Sequence, residues 1–348
     1  MVDGTSSDTQ HDINATCETT TTRFKPTGVL LETDEETNTK LTQEEETEGP
    51  REYQLVWRNI ILYIYLHISF FYAFYLIFTS AKLLTTLHAF LLIIIGNLGI
   101  TCGAHRLWSH RSYKAKTPLK IILVIMQTVA FQRDRCRPPQ CEAWFFFAHV
   151  GWLLTKKHPD VRTKGKVIDI SDLTNDPILS FQHKHYVRLM LFTAFLVPTA
   201  IPMIFWKETF FNAWLLNLFR YCIGLNTTWL VNSAAHMFGS KPYDRFINPS
   251  ENFSVAALAL GEGWHNYHHT FPWDYKTSEL GKYTTNISTA FIDFFAKLGW
   301  AYDLKTVSED MVRKRTLRTG DGTHSVWGWK DNEMCEDDIR NTVVSKNQ

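Results

Sequence analysis

The chain is poor in the features that mark several common protein classes. It carries almost no net charge, with 36 Lys and Arg against 35 Asp and Glu, so the basic surplus expected of a nucleic-acid binder is missing. Six cysteines are scattered over 348 residues. Cys17, Cys102, Cys136, Cys141, Cys222 and Cys335 form no disulfide framework, and a reducing environment is expected. Cys136 and Cys141 are not spaced as a zinc knuckle requires. The N-terminus has no short apolar run, so no cleaved signal peptide is expected and the first spanning segment must direct insertion. Residues 1–50 hold 12 acidic and 3 basic residues, many threonines and few aromatics. Such a segment cannot bury enough apolar surface to offset chain entropy, and it is expected to be a disordered acidic tail.

What the chain does have is long apolar runs. Its mean hydropathy of -0.17 conceals them, because very polar ends dilute a very apolar middle. Residues 60–78 are almost wholly apolar, and a second run, 84–104, follows after a connection too short for a domain. A third, 190–205, contains Pro198 and Pro202, and a fourth covers 211–230. About 20 helical residues cross a hydrocarbon core of ~30 Å, and spanning helices tolerate proline by kinking. The expectation is therefore an all-α membrane protein with four transmembrane helices, paired as hairpins over 51–104 and 188–231. Arg106, Arg111, Lys114, Lys116 and Lys120 follow the second run and Lys241 and Arg245 the fourth, whereas the hairpin tips carry only Lys82 or Lys207 beside Glu208. By the bias of Lys and Arg toward the cytoplasm, both termini face that side. The remaining segments, 105–187 and 232–320, then form a helical cytoplasmic cap. Residues 119–131 are too short to span and are expected as an interfacial or buried helix. The polar end, 321–348, is expected to be loose.

Histidines cluster where those runs end. Gly261-Glu262-Gly263-Trp264-His265-Asn266-Tyr267-His268-His269 places three imidazoles at i, i+3 and i+4, on one face of a helix. Gly103-Ala104-His105-Arg106-Leu107-Trp108-Ser109-His110 supplies two more, and Asn232-Ser233-Ala234-Ala235-His236 places an amide and an imidazole at i, i+4. Four spans bring all three segments to one side of the membrane. Many imidazoles with little carboxylate suit iron, copper or zinc rather than magnesium or calcium, and their number suggests more than one ion. A zinc hydrolase needs a carboxylate base; the nearest, Glu262, serves equally as a partner behind a ligand.

These histidine boxes resemble those of membrane-bound acyl-CoA desaturases of the stearoyl-CoA (Delta-9) type, and the similarity runs from about Tyr53 to about His324. The phrases around Trp152, Pro242-Tyr243-Asp244 and Arg318-Thr319-Gly320-Asp321-Gly322 match as well, which weakens a histidine-box hydroxylase as an alternative. The resemblance implies two irons that activate dioxygen to place a cis double bond in a saturated fatty acyl-CoA, with no bound organic cofactor. It implies iron ligation by His105, His110, His236, His265, His268 and His269, with Asn232 acting through water. Cytochrome b5 and its reductase are the implied electron donors, and the endoplasmic reticulum membrane the implied location. An acyl tunnel among the spanning helices is expected, with Ile93 and Asn97 toward its end. His149 is expected to make a structural hydrogen bond.

One element of the resembling family is missing. A further box, of the form His-Arg-x-His-His, should follow Phe131, yet Arg133-Asp134-Arg135-Cys136-Arg137-Pro138-Pro139-Gln140-Cys141-Glu142-Ala143-Trp144 contains no histidine. Asp134 to Phe145 can be encoded so that reading one base later yields Thr-Asp-Ala-Asp-Pro-His-Asn-Ala-Lys-Arg-Gly, the phrase that follows the box in the family. A coding-level deletion with a short out-of-frame stretch explains the segment, and the activity of this chain is expected to be impaired. The alternative is a non-catalytic desaturase-like membrane protein that pairs with an intact desaturase.

Overall fold

The computed structural model describes residues 54–131, 145–157, 170–279 and 283–328. The acidic tail over 1–50 and the histidine-free segment 133–144 lie outside the described residues. Those described are mostly helical. Helix α1 (Trp57–Thr79) and helix α2 (Leu83–Leu98) form the first hairpin, and α2 continues without a break into a π-wound stretch, Gly99–Ser109. Helix α3 (Thr117–Val129) lies against that stretch. Their approach is close: a Cβ at Gly99 would stand 2.3 Å from the Gln127 nitrogen, so only glycine fits there.

The third expected run is longer than its apolar part. Helix α4 (Pro177–Met190) begins in a polar segment, where Asp176 accepts from the Ile178 and Leu179 nitrogens and Pro177 occupies the first turn, both good helix starts. It passes through a π-wound turn, Leu191–Leu196, into helix α5 (Val197–Trp206). Among the described residues, three segments are long and apolar enough to cross a membrane: Trp57–Thr79, Leu83–Ser109 and Pro177–Trp206. On α1, Ile61, Ile68, Phe71 and Phe78 are more than 60% exposed, an apolar face that lipid covers and water does not.

The fourth expected run forms helix α6 (Phe210–Asn232), 23 residues long, but it is not among those three. It packs against α1, α2 and α5 and carries buried Asn212, Asn217 and Arg220. Each is paired, as polar groups inside a helical bundle must be. Arg220 donates to the Asn217 side chain and to the carbonyls of Val129 and Ala194, and Asn217 itself donates to Ala194. A helix shielded by its neighbours needs no apolar surface all round.

The cap is fastened to the segment behind the first histidine box. Strands β1 (Lys114–Ala115) and β2 (Ala301–Tyr302) pair antiparallel, Lys114 opposite Tyr302. Helix α8 (Ile287–Lys297) joins a core of Leu98, Leu119, Leu123, Tyr275, Ile292 and Phe295. Helix α9 (Glu309–Thr319) starts from a Ser308 cap. The residues after it, expected to be loose, are docked as far as Trp327. Asp321 accepts from the Lys241 nitrogen at 2.6 Å, and His324, 4% exposed, bonds to Glu279 at 2.7 Å. The expected short helix over 119–131 is α3, which buries one face, with Leu119 and Leu123, and leaves Ile121 and Ile125 exposed on the other.

Candidate metal centre

Helix α7 (His265–Thr270) is held by the one side chain in its first turn that is not an aromatic or an imidazole. Asn266 is fully buried; its carbonyl accepts from the Tyr243 and Asp244 nitrogens at 2.9 and 3.1 Å, and its amide donates to the Asp244 and Pro249 carbonyls at 2.8 and 2.9 Å. All four bonds bind α7 to the loop that follows His236. Gly263 admits the approach of Phe253–Leu258, since a Cβ there would stand 2.0 Å from the Ala256 nitrogen.

Histidines 265, 268 and 269 do not converge on one point. Viewed down the helix, 268 and 269 lie on opposite flanks of 265, about 100° apart, and each flank meets a different segment. His268 joins His105 and His110, while His265 and His269 join His236. In each triad, one nitrogen from every ring lies within 4.8 Å of the others. His105 Nε2 is 3.1 Å from His268 Nε2, and His265 Nε2 is 3.0 Å from His236 Nε2 and 3.1 Å from His269 Nε2. The rings of His265 and His268 are 5.8 Å apart, so the triads are neighbours.

The spacing of His105 and His110 shows why the π-winding matters. Five residues along an α-helix point about 140° apart, but in a π-turn the ring of backbone bonds closes at i+5. The His110 nitrogen donates to the His105 carbonyl at 3.0 Å, and the two rings stand 4.7 Å apart.

Behind the first triad, Glu262 Oε2 accepts from His105 Nδ1 at 2.6 Å, while Oε1 accepts from Arg106 Nε and Nη2 at 3.1 and 2.9 Å. An ionised carboxylate only accepts; the His105 proton therefore sits on Nδ1 and its Nε2 lone pair faces His268. Arg106, fully buried, also donates to the Tyr275 carbonyl, Thr289 Oγ1 and Asn286 Oδ1. Burial pushes the Glu262 carboxyl up, but His105 and Arg106 beside it prevail and hold it at about 2.

His236, His265 and His268 are poised as neutral donors. Burial, followed by the mutual repulsion of neighbouring rings, pushes His265 and His268 well below the ordinary histidine value. His236 is lowered by burial. A cation fits this donor set. The in-plane lone pair of His265 Nε2 can accept one hydrogen bond, yet two other Nε2 atoms press on it, and an ion among the three satisfies them all. His265 Nδ1 and His268 Nδ1 are buried without a partner among the described residues.

Other sequence-predicted residues fall outside both triads. Asn232 ends α6, one turn before His236, and makes no side-chain hydrogen bond among the described residues. Asn97 is buried on α2 and donates to Thr227 Oγ1 on α6 at 3.3 Å; Ile93, one turn earlier, is half-buried. His149 engages Ser233 Oγ at 2.9 Å and Asn226 Oδ1 at 3.2 Å. Sequence reasoning missed Arg106 and Asn266. A charged residue immediately beside the first-box histidine, at the end of an apolar run, was the available signal for Arg106; Asn266 gave none.

No protein-family model matches the chain. Individual proteins do, over most of their length. An acyl-CoA Delta-9 desaturase of Acheta domesticus is 53% identical over 347 residues, covering 92% of this chain and 97% of its own. The chain belongs to the acyl-CoA desaturase family. An acyl-CoA Delta12-desaturase of the same species is 50% identical over 343 residues (92% and 96% covered), and an acyl-CoA Delta(11) desaturase of Spodoptera littoralis 47% over 333 (91% and 97%). These desaturases are named for three different bond positions yet differ little in identity to this chain. Overall identity therefore does not assign the bond position of this family member.

Proposed function

We propose that the chain is built as an oxygen-dependent desaturase of saturated fatty acyl-CoA, with iron held by the two histidine triads. The observation that carries this reading is the pair of three-imidazole clusters meeting on α7, in a chain 53% identical to an acyl-CoA Delta-9 desaturase. An all-imidazole donor set suits iron, and the family relationship favours iron over zinc. Bound iron supplies the activation of dioxygen that removes one hydrogen from each of two adjacent methylenes. The protein supplies neutral imidazoles, the His105 tautomer fixed by Glu262, and Asn232, whose amide acts through a water. The acyl chain enters among the spanning helices, with Ile93 and Asn97 toward the end of its path.

α6 is read as the fourth span, on its 23 residues and its place among α1, α2 and α5. The Lys and Arg distribution orients both termini to the cytoplasm, with cytochrome b5 and its reductase as electron donors at the endoplasmic reticulum membrane. Residues 133–144 contain no histidine, so up to three ligands of a complete centre are missing and turnover is impaired. The same observation favours a second reading, a non-catalytic desaturase-like protein that pairs with an intact desaturase.

Iron per chain in detergent-purified protein tests this, beside a version with His-Arg-x-His-His restored within 133–144. Two irons and a Delta-9 monounsaturated product from the restored chain, with less iron and little product from the original, are expected. Two irons in both would overturn the impairment, and none in either would overturn the metal centre.

A further inference from the structure

The two triads are built alike in their imidazoles and differently in everything around them. The first, His105, His110 and His268, has one ring hydrogen-bonded through Nδ1 to a carboxylate at 2.6 Å. That carboxylate is 6% exposed and pinned by Arg106, which is fully buried and spends its other donors on Tyr275, Lys276, Asn286 and Thr289. The second, His236, His265 and His269, has no carboxylate bonded to any of its rings among the described residues, and its His269 is exposed to solvent.

Each difference acts in the same direction. A carboxylate behind a ligating imidazole fixes the tautomer, prevents ring rotation and makes the facing nitrogen a stronger donor; losing such a partner weakens metal binding ~10–100-fold. A negative charge beside the first ion also offsets part of its charge in a site removed from water. An exposed ring such as His269 must give up both hydration and rotamer freedom to bind.

Resting on the reading of the triads as a metal centre, we infer that the two sites are unequal: the His105, His110 and His268 site fills first and holds its metal tightly, and the His236, His265 and His269 site fills second and exchanges readily. Glu262 is the positioning residue that makes the difference, acting through His105, and Arg106 is its anchor to the cap. The chain is then a one-metal protein at low metal supply and a two-metal protein only at high supply. That inequality rests on the described residues of the two triads and on Glu262 and Arg106.

The test is a titration of the full chain in detergent, stripped by chelator, with Co2+ alone, read by the visible absorption of the bound ion and by equilibrium dialysis. Wild type is expected to bind in two resolved steps. Glu262→Gln, which keeps the shape but not the charge, is expected to weaken the first step ~10–100-fold and leave the second unchanged. Glu262→Asp should recover part of the loss. His269→Ala, at an exposed position that leaves the buried ring network in place, should remove the second step and keep the first with its spectrum. Two steps of equal affinity, or equal weakening of both by Glu262→Gln, would overturn the inequality while leaving the metal centre standing. Absence of Co2+ binding by wild type would overturn the metal centre itself.

Discussion

Asn266 stands between two of the histidines that define the centre, and its side chain hydrogen-bonds away from both triads. Its side chain makes four hydrogen bonds to main-chain groups of the Tyr243 to Pro249 loop, which uses the whole capacity of an amide on that side of α7. Asn266→Ala is expected to leave two buried N–H groups and two carbonyls unpaired, at a cost of about 2–3 kcal/mol. Chemical denaturation of the metal-free protein should show that loss. Asn266→Asp turns a carboxylate oxygen onto the Asp244 and Pro249 carbonyls in a fully buried site, so it should cost at least as much as Asn266→Ala. If the asparagine instead only fills space, a midpoint shift under 0.5 kcal/mol for Asn266→Ala would show it. The residue was invisible to a metal-centred reading because its neighbours supply the chemistry and it supplies the alignment.

Elements in the membrane half are joined at the tips of the hairpins. Glu208, 6% exposed, accepts from the Lys82 nitrogen and Thr85 Oγ1 through one oxygen, and from the Thr209 nitrogen and Asn212 Nδ2 through the other. Trp206 donates to Thr85 Oγ1, and Lys82 Nζ to the Trp206 and Lys207 carbonyls. One carboxylate thus satisfies donors from both hairpins. The sequence showed Lys207 beside Glu208 only as a weakly charged tip; which groups the carboxylate serves depends on how the hairpins pack. Glu208→Ala is expected to cost about 2 kcal/mol or more, because its partners are left without an acceptor. Thermal unfolding in detergent should show the loss, while Lys207→Ala, which removes an exposed side chain, should change little. Equal effects of the two would mean that the tips are not a joint.

At the scale of the molecule, membrane topology is the expectation with the widest consequences. With both histidine-bearing ends of the spans on the cytoplasmic side, a cysteine at exposed Arg313 should react with an impermeant maleimide from that side of sealed microsomes. One at exposed Lys207 should react only after the membrane is opened. The reverse pattern would invert the orientation. The sequence determined the helical character, the apolar hairpins, the polar ends and all six histidines that gather into triads, because periodicity, run length and local spacing are properties of the chain alone. It marked 211–230 as simply another span; the structure makes it a helix whose polar residues are paired inside the bundle. The sequence also placed three histidines on one face of one helix and implied a common point. Only the packing of α7 between the π-wound end of α2 and the segment after α6 decided which imidazoles share a site, since the ligand sets are made by contacts between residues 163 positions apart in one triad and 29 in the other. The same packing brought Glu262 and Arg106 behind one triad and not the other, an asymmetry that no spacing along the chain encodes.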